Sequence, residues 1–355
     1  MLIEDVYQQI LAAKRPIDFF GEVSSADQLK KKYRTLARKL HPDLVSKSEE
    51  YKAQEAFGKL GEIYQRAKDE LEKGIYAITD CIELYKNMQP LFDEIEINGK
   101  SHKFYERVVE GDVADIYKGV SDGIIFLKVP RDADDSDLLD NEFEVLSGNR
   151  HNSLPYVEKK IIVNGSSAII MREIEGLSMP EYMKDFPQGV PALHVAWMME
   201  RLLSVVGFLH NNKIVHENIR PDHVIIDDDT HNVSLCGFSW CIPNADTSDA
   251  SYKIRYDDGF SAPEVSKEAV VLPSSDIYPL GKIAIQLLGG DIKSNGMPIN
   301  IDVRIRSFFR KLVNENFKER PNDAWALWHQ LRSIRLEVFG PKRFEKVIKN
   351  KRGTL

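Results

Sequence analysis

Ile214-Val-His216-Glu-Asn-Ile-Arg-Pro221-Asp-His-Val-Ile-Ile226 is the stretch on which the fold turns. Its flanks are apolar and its centre is polar, and the segments around it differ sharply on its two sides. From about Val190 onward long helical patterns dominate, with HVAWMMERLLSVVGFLH just before the loop and DIYPLGKIAIQLLGG after it. Upstream the pattern is that of strands. EIEI, then Asn98-Gly99, then KSHKFYERVV predicts a hairpin with a tight turn, and VADIYKGV and IIFLKV flank Ser121-Asp122-Gly123 as a second hairpin. A β-rich segment followed by an α-rich one implies two lobes. No internal repeat or low-complexity tract interrupts them.

The first ninety residues are helical in pattern. Residues 26–40, ADQLKKKYRTLARKL, place Leu29, Tyr33, Leu36, Ala37 and Leu40 at helical spacing, with Ser24 and Ser25 offering an N-cap. Pro42 breaks this helix by removing a hydrogen bond and clashing with the preceding turn. A second helix is expected from about Glu49 to Lys73, carrying Ala53, Ala56, Phe57, Leu60, Ile63, Tyr64 and Ala67, with Gly74 as its stop. A third spans about 76–88 and leads to Pro90. The boundary to the next domain falls between about Lys73 and Glu94.

Composition narrows the function. At roughly 100–200 residues per domain, 355 residues imply two domains or three. A formal net charge of -7 argues against general nucleic-acid binding, which needs surplus Lys and Arg. Cys81, Cys236 and Cys241 form no CxxC pair, so neither a disulfide framework nor a zinc site is indicated. The start, MLIEDVYQQILAAKRP, is acidic early and is not a signal peptide, and no apolar run reaches the roughly 18 residues of a membrane span. A reducing, cytoplasmic location is expected, with no membrane partner.

LKKKYRTLARKLHPDL resembles the J domain of heat-shock co-chaperones, over roughly residues 17–73. The tripeptide His41-Pro42-Asp43 follows a helix bearing Lys30, Lys31, Lys32, Arg34, Arg38 and Lys39 and precedes a second amphipathic helix, EAFGKLGEIYQRAKDEL. The resemblance implies that His41, Pro42, Asp43 and the cations Lys30, Lys31, Arg34, Arg38 and Lys39 dock on a seventy-kilodalton heat-shock chaperone and stimulate its ATPase. Clustered like charge repels itself unless a partner uses it, and such a patch steers association. The family's first helix is short or irregular here, and its fourth is not evident.

Residues 104–335 resemble the protein-kinase fold, motif by motif in order. Val109-Glu-Gly111-Asp-Val-Ala114 aligns with the glycine-rich phosphate loop, keeping only Gly111 of three glycines. Lys128 in Ile125-Phe-Leu-Lys128 aligns with the third-strand lysine, and Glu142 with its partner glutamate. Met171 stands at the gatekeeper and Glu173 at the hinge. The 214–226 stretch has the spacing of the His-Arg-Asp catalytic loop, Val233-Ser-Leu-Cys-Gly-Phe-Ser239 that of Asp-Phe-Gly, and Ala262-Pro263-Glu264, Asp276 and Arg320 that of the structural anchors.

On this alignment the groups that carry phosphoryl transfer are replaced. Asn218 stands for the catalytic aspartate, Gly237 for the metal-binding aspartate, His223 for the second metal ligand and Glu217 for the arginine before the catalytic residue. An amide accepts a hydrogen bond but is not a base near neutral pH, and general-base help is worth about 10²–10⁴ in rate. Glycine has no ligand for magnesium, and imidazole suits softer metals. Lys128 and Glu142 allow two readings, nucleotide held without magnesium or a structural ion pair. The Asp227-Asp228-Asp229 run caps a turn more readily than it holds a metal, and the basic tail GPKRFEKVIKNKRGTL is expected to be solvated.

The expected architecture is α+β. A J-domain-like helical domain covers 1–74, a helical linker 75–93, a bilobal kinase-like domain 94–335 and a basic tail 336–355. The expected function is a co-chaperone that recruits a seventy-kilodalton chaperone to a protein client, with a pseudokinase domain that is not an enzyme. No cofactor is required, ATP without magnesium being the one ligand its pocket would suit. The rival is an atypical kinase or nucleotidyl transferase using Lys128 with a relocated acid such as Asp222 or Asp227.

Overall fold

A computed structural model describes residues 6, 9–10, 13, 15–21, 23, 26–40, 50–72, 88–97, 99–120, 124–227, 232–244, 259–268 and 271–341. It divides into two compact units, Met1–Pro90 with Val120–Gly123, and Leu91–Gly119 with Ile124–Leu355.

In the first unit, α1 (Pro16–Phe20) is a single short turn, α2 covers Ala26–Leu40 and α3 covers Glu50–Glu72. α1 opens with a proline whose missing N–H costs nothing there, and the Arg15 backbone N–H donates to Asp18 Oδ2 at 3.0 Å. Leu29 and Leu40 of α2 and Ala56, Leu60, Ile63 and Ala67 of α3 fall at helical spacing and are buried together with Val6, Ile10, Phe20 and Val23. Tyr33 stacks on Tyr64 with ring centroids 4.1 Å apart. Each buried leucine stabilises the helix pair by about 1.5–3 kcal/mol, so Leu60→Ala would loosen it. Ser24, Ser25, His41, Pro42, Asp43, Gly74 and the expected helix at 76–88, all but its last residue, lie outside the described residues.

The second unit opens with a six-stranded sheet in the order β1-β2-β3-β4-β6-β5. Its strands are β1 (Phe92–Ile97), β2 (Lys100–Glu110), β3 (Ala114–Val120), β4 (Ile124–Pro130), β5 (Val157–Val163) and β6 (Ser166–Arg172), with helix α4 (Ser136–Gly148) inserted between β4 and β5. β1 and β2 pair antiparallel with Ile97 opposite Lys100, and Gly99 between them has φ +76°, the left-handed conformation a tight turn needs. Phe104, Leu127, Val163, Ala168 and Ile170 bury one face of the sheet. Leu139, Val145 and Leu146 of α4 join the main core.

The helical part follows: β7 (Leu177–Ser178), α5 (Met179–Met183), α6 (Ala192–Asn211), β8 (Ile214–Val215), β9 (Val224–Asp227), β10 (Asn232–Leu235), β11 (Ile242–Pro243), α7 (Pro263–Glu268), α8 (Pro273–Leu287), α9 (Val303–Leu312) and α10 (Ala324–Phe339). β10, β9 and β7 form a small sheet, and β11 pairs with β8. These short strand pairs hold residues 214–227 and 232–243 against α6 and α8. α6 is largely apolar and mostly buried, as a central helix must be, with Arg201 exposed on its outer side. By length and composition alone it would cross a membrane, contrary to the expectation that no such run exists, but 67% of its apolar window is buried inside the protein.

Candidate functional site

Two buried joints fix the loops. The first is Asp276, on the first turn of α8, whose carboxylate accepts from the backbone N–H of His216 (2.8 Å) and Glu217 (3.0 Å) and from His210 Nε2–H (2.9 Å). Glu217 has φ +60°, uncommon for a side-chain-bearing residue, and the two charge-assisted bonds hold it there. The second is Arg320, bidentate to Glu264 at 2.7 and 3.0 Å with both side chains almost fully buried. Ser275 Oγ donates to the same carboxylate at 3.0 Å.

Within this frame Lys128 of β4 and Glu142 of α4 form a buried pair at 2.5 Å. Ser239 joins both: its Oγ lies 3.0 Å from Lys128 Nζ and 2.5 Å from Glu142 Oε2. The sequence reading missed Ser239, although a hydroxyl in place of the glycine of an Asp-Phe-Gly segment was the available signal. Met171 is buried at the end of β6, with Glu173 exposed just past it.

Asn218, His223 and Gly237 meet in one cluster. His223 Nδ1 is 2.7 Å from Asn218 O, and because a carbonyl only accepts, Nδ1 carries the proton. Burial drives the pKa of His223 well below the usual imidazole range against the opposing pull of that hydrogen bond, so the ring is neutral at pH 7. Gly237 has φ +84°, and a Cβ there would lie 2.3 Å from His223 Nδ1. The imidazole thus fills the space that a side chain at 237 would need. Asn218 Nδ2 reaches Gly237 O at 3.4 Å, while Asn218 Oδ1 is buried with no hydrogen-bond partner among the described residues.

The fold implies magnesium, and these residues do not fit it. Position 237 offers no oxygen, the His223 Nδ1 proton is committed, and among the described residues no group of three or more His, Cys, Asp or Glu is placed to hold a metal. Asp227 ends β9, and Asp228 and Asp229 lie outside the described residues. Burial pushes the Cys236 thiol up to about 12 and raises Cys241 further, so both are inert thiols.

At the phosphate-loop position Gly111 is required, since a Cβ would meet Ala114 O at 2.4 Å. The neighbouring Asp112 reaches across to the loop at 214–226 and pairs with Arg220 Nη1 at 2.9 Å. Asp222, largely exposed, lies 3.7 Å from Arg220 Nε. The Asp112–Arg220 pair is a contact between loops over a hundred residues apart, and nothing in local sequence announces it.

On α2, Lys30, Lys31 and Arg34 are exposed, as a docking face requires. Lys32 is exposed as well, and its Nζ donates to the Phe20 carbonyl at 2.6 Å, which braces the helix pair. The side chains of Arg38 and Lys39 lie outside the described residues.

Residues 102–336 match the family described as "Protein kinase domain", and residues 21–77 match "DnaJ domain". Among curated proteins the chain is similar to serine/threonine-protein kinase STE20 of Eremothecium gossypii, 26% identical over 157 residues, 44% of this chain and 16% of that protein. It is 25% identical to serine/threonine-protein kinase fray1 of Dictyostelium discoideum over 159 residues, 44% of this chain and 28% of that one. It is 28% identical to serine/threonine-protein kinase PrkC of Bacillus subtilis over 131 residues, 36% and 20% of the two chains. The chain therefore spans less than a third of each relative's length. These names correct the expectation that the chain is not an enzyme: its matched relatives are kinases, which points to an enzyme. The physical reason the expectation failed is that replaced groups at 218, 223 and 237 measure how a site works, and they do not by themselves set its class.

Proposed function

The chain belongs to the protein kinase family, and from that premise we propose that it is a J-domain co-chaperone whose kinase domain is a slow, atypical phosphotransferase. The observation that carries this reading is the buried, unpartnered Asn218 Oδ1 at the catalytic position. A buried acceptor left unpaired costs about 1–3 kcal/mol, and a substrate hydroxyl is the donor that the position suits. The amide would orient that hydroxyl without taking its proton.

Phosphoryl transfer asks little covalent chemistry of the protein, since positioning and charge supply most of the acceleration. Losing the base lowers the rate by about 10²–10⁴, which leaves an enzyme, though a poor one. Lys128, held by Glu142 and Ser239, would grip ATP phosphate oxygens. Arg220 is a second cation, on the loop that carries Asn218, and exposed Asp222, 3.7 Å from Arg220 Nε, would receive the proton. No step is routed through a metal. The domain would also choose the client that the J domain hands to a seventy-kilodalton heat-shock chaperone, in the cytoplasm.

The test is incubation of the whole protein with generic protein substrates and ATP labelled first on the γ- and then on the α-phosphate, with and without divalent metal. Label transfer that Lys128→Met removes and Asp222→Asn reduces is the expected result. No transfer of either label sinks the reading.

A further inference from the structure

α6 and α10 pack closely at one end, where Gly207 admits the Trp325 ring: a Cβ there would sit 2.9 Å from it. Further along, the helices part around a cleft of about 330 Å³. Trp197, Arg201 and Ser204 of α6 face Trp328, Arg332 and Leu336 of α10 across it. Its lining also includes Glu200 and Arg335, a buried ion pair whose charges cancel. Arg332 is fixed over the Trp328 ring, 5.1 Å from its centroid. Arg201 and Arg332 are exposed, and neither has a carboxylate partner among the described residues.

Three arginines against one glutamate leave the lining at +2. This is an odd local surplus in a chain of net charge -7. A phosphomonoester carries about −1.5 to −2 at neutral pH. Guanidinium forks match its oxygens two at a time, and a serine hydroxyl adds a donor. The apolar side matters equally: indole walls and Leu336, 41% exposed at the lip, would meet side chains flanking the charged group. A bare anion has nothing to offer that surface. We infer that the α6–α10 cleft binds a phosphorylated side chain of a partner polypeptide, with Arg201 and Arg332 as its two anion-holding groups. Neither Lys128 nor the loop at 214–226 borders the cleft, so this stands apart from the phosphotransfer reading.

Fluorescence anisotropy on the full chain tests it. The probe is a short dye-labelled peptide with one phosphoserine between two leucines, set beside its unphosphorylated twin. The phosphorylated probe is expected to bind about tenfold or more tightly than its twin, and Arg201→Gln and Arg332→Gln each to weaken it by a similar factor. Arg332→Lys, which keeps the charge, should retain part of the affinity. Both arginines are exposed, so the melting temperature of each variant should stay within a degree or two of wild type, and a melt on each sample checks it. Equal binding of the two peptides overturns the inference. So does binding that survives the double Gln variant, or competition by inorganic phosphate as effective as that by the unlabelled phosphopeptide.

Discussion

At position 237 a side chain has nowhere to go. The glycine is left-handed and its missing Cβ would fall on the His223 ring. Gly237→Asp, which restores a metal-binding group on paper, is therefore expected to destabilise the protein by about 1–3 kcal/mol through overpacking. The melting temperature should drop by several degrees, and His223→Gly in the same chain should recover the part due to crowding while the left-handed strain at 237 stays. A G237D variant as stable as wild type would refute this. The same ring sets a pH dependence. His223 has its pKa depressed in the fold, so below the unfolded value of about 6.5 the unfolded chain binds a proton that the folded chain refuses. Its contribution is complete above about 6.5 and is lost as pH falls toward the lower folded value. Denaturant melts between pH 7 and 5 should decline less steeply for His223→Asn than for wild type. The resemblance to the kinase motifs identified 218, 223 and 237 as the replaced positions. That one of them fills the space of another follows only from three-dimensional packing.

Among the elements, the loop joining β2 to β3 carries the most testable contact. Asp112 at its tip pairs with Arg220, and its side chain is 70% exposed. Exposed pairs contribute about 0–1 kcal/mol, so the pair is a light latch. It nonetheless places a carboxylate where the phosphate loop would meet ATP. Asp112→Asn is expected to tighten ATP binding by about twofold to fivefold, the affinity equivalent of such a pair. A thermal-shift titration of the full protein would check it, and unchanged or weaker binding would count against the latch. The helices α2 and α3 were legible because their apolar residues recur at helical spacing over 15 and 23 residues. The hairpin of β1 and β2 was legible from its Asn-Gly turn. The latch was not, because loop-to-loop contacts leave no period in the sequence.

For the molecule as a whole, the order of motifs carried the fold: a basic helix ahead of His-Pro-Asp, then lysine, glutamate, catalytic loop and anchors in register. The proposed co-chaperone role makes its own demand. Full-length protein should stimulate the ATPase of a seventy-kilodalton chaperone, and His41→Gln should abolish this while leaving the far-ultraviolet circular dichroism unchanged. Equal stimulation by mutant and wild type would remove the J domain from the function. Raising salt should slow the association, because the exposed Lys30, Lys31 and Arg34 act at distances screened beyond about 8 Å at physiological ionic strength. What motif order could not convey was chemical class, since a site short of its usual groups reads as dead on paper. Asp276 bears on that last point. It holds His216 and Glu217 by their main-chain N–H groups, which every residue type but proline carries. The loop is thus a socket into which different side chains can be plugged without rewiring its mount. Asn218→Asp leaves that mount intact but sets a carboxylate oxygen where the amide now faces the Gly237 carbonyl, so the gain in transfer should stay below the roughly 10²–10⁴ that a true base supplies. Gly237→Asp has no room at all, so positions 223 and 237 can change only in order, with the His223 ring leaving before a side chain arrives.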